Sequence, residues 1–147
     1  MRWHHYILVV LAIAMLFAVR AFEQQLFYDP LLQFFHTDFR EAQFPEFQHG
    51  KHLLSISMRY TLNALIGIAI IHLLFRDKRH TSFALITYLL IGAICLSIYA
   101  FWLSQPQSLS YTAAFYVRRV LLQPMLLLLL VPAFYYLQLS RAQTRDA

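Results

Sequence analysis

Four apolar stretches constrain the fold of this chain more than any other feature of its sequence. They cover residues 6–22, 53–75, 83–103 and 115–137, and the last three are 21 to 23 residues long. As helices these three extend about 31 to 35 Å, enough to cross a hydrocarbon core of about 30 Å. Only 13% of the residues are charged, whereas a soluble domain has about a quarter. The sequence therefore predicts an all-α membrane protein, a four-transmembrane-helix bundle that forms one domain over residues 1–147.

The first stretch has two interpretations. Arg2 ahead of an apolar run, with small residues at Val19 and Ala21, is typical of a cleaved signal peptide. Arg20 lies inside that cleavage site, however, and apolar residues resume directly after it. A terminal arginine can snorkel to the membrane interface, so we expect an uncleaved first span.

Basic residues near the span ends indicate the orientation. Arg76, Lys78 and Arg79 are packed into the short loop between the second and third spans. The opposite side carries nearly as many basic residues, but they are dispersed. We expect both termini in the cytoplasm and an outer loop over residues 23–52. Arg118 and Arg119 are exceptions to this rule and therefore need partners.

The outer loop is acidic and aromatic. Asp29-Pro30 has the form of a helix N-cap followed by proline at the first helical position. Leu31, Phe34, Phe35 and Phe39 follow at helical spacing, which predicts a short amphipathic helix in the membrane interface. The alternative is a loop folded over the outer end of the bundle, and both can hold.

Polar residues form stripes within the spans. Ser55, Arg59, Asn63 and Gly67 recur every four residues on one face of the second span, with Arg59 about 9 Å below its outer end. Two further faces are polar, one made of Tyr116, Arg119 and Gln123 and one of Tyr88, Gly92, Cys95 and Tyr99.

The fourth span also contains two prolines. Pro124 and Pro132 lack backbone donors, so we expect them to bend the helix and to free carbonyls that a neighbouring helix or side chain must satisfy.

An isolated charge is unfavourable at this depth. We therefore expect four arginines and two acids to converge near the outer interface. The arginines are Arg20, Arg59, Arg118 and Arg119, and the acids are Glu23 and Asp29. With two polar residues on the same faces, the candidate site comprises Arg20, Glu23, Asp29, Arg59, Asn63, Arg118, Arg119 and Gln123. One interpretation is that these residues join the helices and snorkel to membrane lipid. The other is a site for the carboxylate or phosphate of a partner.

Catalytic, metal and cofactor patterns are weak. Cys95 falls at mid-membrane depth, whereas His72 lies near the inner end of its span, too far to act as its base. His36, His49 and His52 lack the flanking pattern of a metal site, and no phosphate-binding glycine loop or HExxH sequence occurs. The 12 basic residues are scattered and form no patch for nucleic acid. We therefore expect no catalytic activity, cofactor, metal or nucleic-acid partner.

The motifs in their order along the chain resemble the exosortase F system-associated membrane proteins of Bacteroidota. They are Arg20 to Glu23, Leu26 to Pro30, Arg59 to Asn63, Phe115 to Arg119, Leu122 to Pro124 and Pro132 to Tyr136. The resemblance implies a small protein of the bacterial inner membrane that accompanies exosortase F. That enzyme is similar to a cysteine transpeptidase and processes C-terminal sorting signals outside the cytoplasm.

The role implied by the resemblance is accessory, because this chain lacks the Cys-Arg-His set expected of the exosortase itself. Two other hypotheses remain, a lipid- or anion-binding membrane protein that uses the arginines and a cryptic intramembrane enzyme.

Overall fold

The computed structural model describes residues 2–27, 29–31, 34, 46, 48–105 and 110–146. In this part of the chain the regular structure is helical, and four helices are long and apolar enough to cross a membrane. The predicted fold class, a helical bundle with four membrane-spanning segments, is confirmed.

The helices follow the apolar stretches and extend beyond them. The element order is α1 Arg2–Ala21, α2 Glu23–Leu26, α3 His49–Phe75, α4 Lys78–Ser104, α5 Tyr111–Leu122 and α6 Met125–Asp146.

Two ends of the bundle can be distinguished by their acidic residues. At the Asp29 end, α1 ends, α3 begins, α4 ends and α5 begins. At the Asp77 end, α3 passes into α4 through a tight turn. Arg76 ends α3 in the left-handed conformation with φ 51°, and the Asp77 side chain accepts a hydrogen bond of 2.8 Å from the Arg79 N–H at the start of α4. This N-cap replaces a missing intrahelical partner.

Helix α3 is the centre of the bundle. It packs against α1, α4, α5 and α6, whereas α1 contacts mainly α3 and the short α2. The second span is accordingly the most buried of the four and the first the least.

The α3–α4 interface is built from two reciprocal tyrosine–glycine contacts. Tyr60 of α3 lies on Gly92 of α4, where an added Cβ would stand 2.9 Å from the tyrosine Cζ. Tyr88 of α4 lies on Gly67 of α3, where a Cβ would stand 2.5 Å from the hydroxyl oxygen. The Tyr60 hydroxyl also donates a hydrogen bond of 2.7 Å to the Tyr88 carbonyl. Small residues at these positions let the two helices approach closely.

The fourth predicted span, residues 115–137, is divided into two helices, which corrects the prediction of a single bent helix. Gln123 adopts an extended conformation with φ −104° and ψ 147°, as residues before proline commonly do. Pro124 cannot donate to the preceding turn, so α5 ends and α6 begins after it. Pro132, in contrast, lies inside α6, and the helix continues past it.

Helix α6 alone is long and apolar enough to cross a membrane, over Met125–Arg145. The length of α3 is nevertheless matched by α5 together with the first half of α6, because Leu122 lies beside Asn63 and Phe134 lies beside Phe75. Phe134 packs at the Asp77 end, with its ring centroid 4.7 Å from that of His80 and 5.7 Å from that of Phe75. Since α3 ends and α4 begins there, residues 135–146 extend past the packed bundle, and their described side chains are exposed.

The described part of the predicted outer loop covers the Asp29 end. Leu31 and Phe34 are helical and buried, and the Phe34 ring meets the Tyr111 ring edge-on at 5.7 Å. These two residues face the bundle core rather than the membrane interface. The remaining residues of the predicted amphipathic helix, including Phe35 and Phe39, lie outside the described residues.

Candidate functional site

A cluster of ionisable and polar side chains fills the Asp29 end of the bundle. We call it the Asp29 cluster. Its members come from the segment after α1 and from α3, α4 and α5, and they are Glu23, Asp29, His52, Arg59, Tyr99 and Arg118. All six side chains are buried, and His52 and Tyr99 are 0% exposed.

Glu23 joins α2 to α3. Its Oε2 atom accepts a hydrogen bond from Nη2 of Arg59, and Nη1 of Arg20 lies 3.1 Å from the same oxygen. Arg59 is 2% exposed, whereas the Arg20 side chain is half exposed at the rim. The Phe27 ring lies 5.9 Å from Cζ of Arg59, within the range of a cation–π contact. The Arg59 guanidinium is therefore enclosed by an acid and an aromatic ring.

Asp29 joins α3 to α5. Its Oδ2 atom accepts a hydrogen bond from Nη2 of Arg118 and lies 3.7 Å from Nη1 of Arg59. The Asp29 side chain is 5% exposed. Because it contacts two arginines from separate helices, this carboxylate fixes the position of α5 relative to α3.

His52 and Tyr99 extend the cluster to α4. Nε2 of His52 and the Tyr99 hydroxyl are 3.0 Å apart, and Nδ1 of His52 lies 3.9 Å from Oδ1 of Asp29. The ring of Tyr99 packs against Trp102 with centroids 5.7 Å apart. Asp29 thus contacts α3 and α5 directly, and it reaches α4 through His52.

Each carboxylate and each guanidinium of the cluster has an oppositely charged partner. Two carboxylates face two buried guanidiniums and the half-exposed one of Arg20. A single buried charge is strongly destabilising, whereas a hydrogen-bonded pair offsets most of the desolvation cost. The mutual pairing explains how arginines occur inside apolar helices.

Asn63 lies one helical turn after Arg59 on α3, beside the break in the fourth predicted span. Its Nδ2 donates a hydrogen bond of 3.1 Å to the Leu122 carbonyl. In a continuous helix that carbonyl would accept from the N–H of residue 126, but the break at Gln123 and Pro124 removes that partner. The side chain of a neighbouring helix therefore satisfies a carbonyl freed near the proline, as the sequence predicts.

Arg119 and Gln123 lie outside the cluster. Arg119 is exposed on the other side of α5, and its Nε donates a hydrogen bond of 3.0 Å to Oε1 of Gln123. The expectation that Arg119 converges with the acids is wrong. Successive residues point about 100° apart around a helix, and Arg118 takes the inward position. Of the eight candidate residues, the structure brings together Arg20, Glu23, Asp29, Arg59 and Arg118, with Asn63 below them.

The sequence interpretation left out His52, Tyr99 and Phe27 as members of this cluster. A signal for His52 was present, because it lies seven residues before Arg59 and therefore on the same helical face. Within the described residues no group of three or more potential metal ligands occurs. His36 falls outside the described residues.

No protein-family model, curated protein or solved structure matches this chain. Function is therefore inferred from the motifs and from the geometry that they form.

Proposed function

We propose that this protein is a non-catalytic accessory subunit of an exosortase-type system that processes C-terminal sorting signals. One observation carries the proposal. Four of the motifs that resemble the exosortase F-associated family supply residues of one contact network, with Arg20 and Glu23 from the first, Asp29 from the second, Arg59 from the third and Arg118 from the fourth. Motifs far apart in sequence thus contribute to a single structural unit, which favours a shared origin over chance similarity.

The accessory role is supported by how the ionisable groups are used. Glu23 and Asp29 are both paired with arginines, and a carboxylate held in this way joins helices of the bundle. Cys95 is partly buried and packs against the apolar core, which is the ordinary position of a structural cysteine.

The proposed location is the bacterial inner membrane with both termini in the cytoplasm. The helices make a multi-pass arrangement in which α1 begins and α6 ends on the same side as the turn that carries Arg76, Lys78 and Arg79. These three arginine and lysine side chains are exposed or nearly so, and a short basic loop favours the cytoplasmic side. On the opposite side, Arg20, Arg59 and Arg118 each lie against Glu23 or Asp29.

Gene deletion with complementation tests the proposed function. Loss of the gene should leave sorting-signal cargo unprocessed in a host that encodes an exosortase, and the wild-type gene should restore processing. An affinity-tagged copy should co-purify with the exosortase from mild detergent. Normal cargo processing in the deletion strain, with no exosortase recovered, would contradict the proposal.

Reporter fusions test the orientation separately. Fusions after Ala147 and within residues 105–110 should report opposite sides of the membrane, with the C-terminal fusion in the cytoplasm. A C-terminal fusion that is active only outside the cytoplasm would overturn the proposed orientation.

A second candidate function is a lipid- or anion-binding membrane protein. The exposed guanidinium of Arg119 favours it, since the other intramembrane arginines are engaged with acids. Native mass spectrometry of the purified protein distinguishes the two functions. A retained anionic lipid that is lost in an Arg119→Gln variant, without any bound exosortase, would support this second function.

A further inference from the structure

Helix α5 carries a polar stripe on the side that faces away from the bundle. We call it the Arg119 stripe. It consists of Thr112, Tyr116 and Arg119 on α5, spaced by four and three residues, and of Gln123, the C-cap residue that follows the helix. Tyr116 is 59% exposed, Arg119 is exposed, and the other two are half-buried. The opposite face of α5 packs against α3 and α4 and holds its buried residues, Ala114, Arg118, Leu121 and Leu122.

This stripe differs from the other outward surfaces of the bundle. The exposed faces of α4 and of the first half of α6 carry large apolar side chains, among them Leu90, Ile94, Leu128 and Leu129. Lipid chains solvate such residues well, but they cannot pair a guanidinium, a phenol and an amide. Lipid chains therefore solvate the Arg119 stripe poorly.

The position of the Arg119 side chain argues against snorkelling. Arg119 lies about 12 Å along α5 from its first residue, which belongs to the Asp29 end. Helical side chains lean toward the N-terminus, so the guanidinium is already inclined toward the nearest interface. Its hydrogen bond instead runs to Gln123, one turn deeper. No carboxylate of the described residues lies within ion-pairing distance of Arg119.

We infer that the Arg119 stripe is the docking surface for a transmembrane helix of another protein that carries Asp or Glu at the depth of Arg119. This inference rests on the proposed accessory function and names the surface that serves it. The two Nη groups carry four of the five guanidinium donors and can form a two-pronged contact with a carboxylate. Tyr116 and Thr112 add hydrogen-bonding groups on the same face.

A second copy of this chain fits the stripe less well than a different protein. The four apolar stretches contain no Asp or Glu, and the described acids near that depth, Glu23 and Asp29, are already paired with arginines of their own chain. A symmetric dimer through this face would also place Arg119 against Arg119. Charge complementarity therefore selects a partner with an intramembrane acid.

Site-specific photo-crosslinking in living cells tests the inference. Benzoylphenylalanine replaces Tyr116 in the full-length protein, and a matched control carries it at Leu90, which is 59% exposed on α4. Position 116 should crosslink to one membrane protein, through a peptide from an apolar segment that contains Asp or Glu, and position 90 should not.

The charge dependence of the crosslink is measured in three further variants, two at Arg119 and one control. Arg119→Glu should lower the yield about tenfold or more, as expected for a lost charged hydrogen bond, and Arg119→Lys should lower it less. Arg141→Glu, on the exposed part of α6, should leave the yield unchanged. Changing the partner's acid to arginine should restore crosslinking to Arg119→Glu. Membrane abundance of every variant is measured alongside.

Four results would overturn the inference. They are a crosslink to a second copy of this chain, a crosslink to lipid alone, a partner peptide without an acid, and a yield that does not change when the Arg119 charge is reversed. The proposed function is tested independently. If an exosortase co-purifies but does not crosslink from position 116, the docking inference fails and the proposed function stands. If position 116 instead gives a charge-dependent crosslink to a different membrane protein, the docking inference stands and the proposed function fails.

Discussion

The two ends of the bundle are held together by different kinds of contact. At the Asp29 end, side chains join residues far apart in sequence, 36 positions for Arg59 and Glu23 and 89 for Arg118 and Asp29. At the Asp77 end, the polar contacts are local, two positions for Arg79 and Asp77 and nine for His72 and Thr81. Long-range packing there is aromatic, through Phe134.

This difference has a consequence for folding. A short turn keeps α3 and α4 adjacent whether or not the bundle is assembled, so the Asp77 end needs little besides apolar packing. At the Asp29 end, side-chain contacts join the segment after α1 to α3 and to α5. Because lipid is as apolar as the helix surfaces, polar contacts and close packing are the forces that can do so. Substitutions should therefore be far more damaging at the Asp29 end.

The largest effect should follow from removing Arg59. Arg59→Met leaves Glu23 buried beside only the half-exposed Arg20, and breaking a buried pair in this way costs about 3–5 kcal/mol. The free energy of unfolding in mixed micelles measures the loss. Arg79→Gln, which changes an exposed arginine at the Asp77 end, is the control and should have no measurable effect. Equal stability of the two variants would abolish the distinction between the ends.

The close approach of α3 and α4 links the two ends and should be the next most sensitive feature. Gly92→Ala places a methyl group against the Tyr60 ring, so the helices must separate or the ring must move, at a cost of about 1–3 kcal/mol. Gly50→Ala is the matched control, because no heavy atom lies within 4 Å of the added carbon. Thermal unfolding of both variants should show a loss for Gly92→Ala alone. A stable Gly92→Ala variant would mean that α3 and α4 are not in this contact.

Asn63 tests whether the break in the fourth predicted span depends on α3. Asn63→Leu leaves the Leu122 carbonyl without the donor that it has now, which should cost about 1–2 kcal/mol. Thr61→Val removes a hydroxyl that only bonds within its own helix and serves as the control. The unfolding free energies should separate the two variants, and identical values would show that the carbonyl finds another donor.

The smallest effect is expected at the Asp77 end. Asp77→Ala removes the N-cap of α4, a change that typically costs about 1 kcal/mol. Asp77→Asn retains a side-chain oxygen at the cap and should be close to wild type. Amide hydrogen exchange should increase only in the first turn of α4. Faster exchange around Arg59 in Asp77→Ala would show that the two ends are coupled.

The sequence predicted the helices better than the contacts of the arginines. Span lengths and hydropathy locate the helices, because a membrane requires long apolar segments with internally paired backbones. The four-residue stripe from Ser55 to Gly67 likewise identified the face of α3 that is buried at Arg59, Asn63 and Gly67.

Choosing between Arg118 and Arg119 was beyond the sequence. Both are equally costly in lipid, and only the rotation of α5 about its axis decides which one meets Asp29. That rotation depends on long-range packing and on the break before Pro124, which shortened the fourth helix and moved Gln123 out of the helical register. His52 was missed for a different reason, because it lies one residue before the predicted second span, residues 53–75, and the stripe counted from Ser55 did not reach it.

A double-mutant cycle between Asp29 and Arg118 tests the central claim most directly. Asp29→Asn and Arg118→Gln should each destabilise the protein, and the double variant should be more stable than the sum of the two losses, with a coupling free energy of about 1–3 kcal/mol. The same cycle between Asp29 and the adjacent Arg119 should be additive within about 0.5 kcal/mol. Additive losses for Asp29 and Arg118, or a larger coupling with Arg119, would contradict the ion pair that joins α5 to the rest of the Asp29 end.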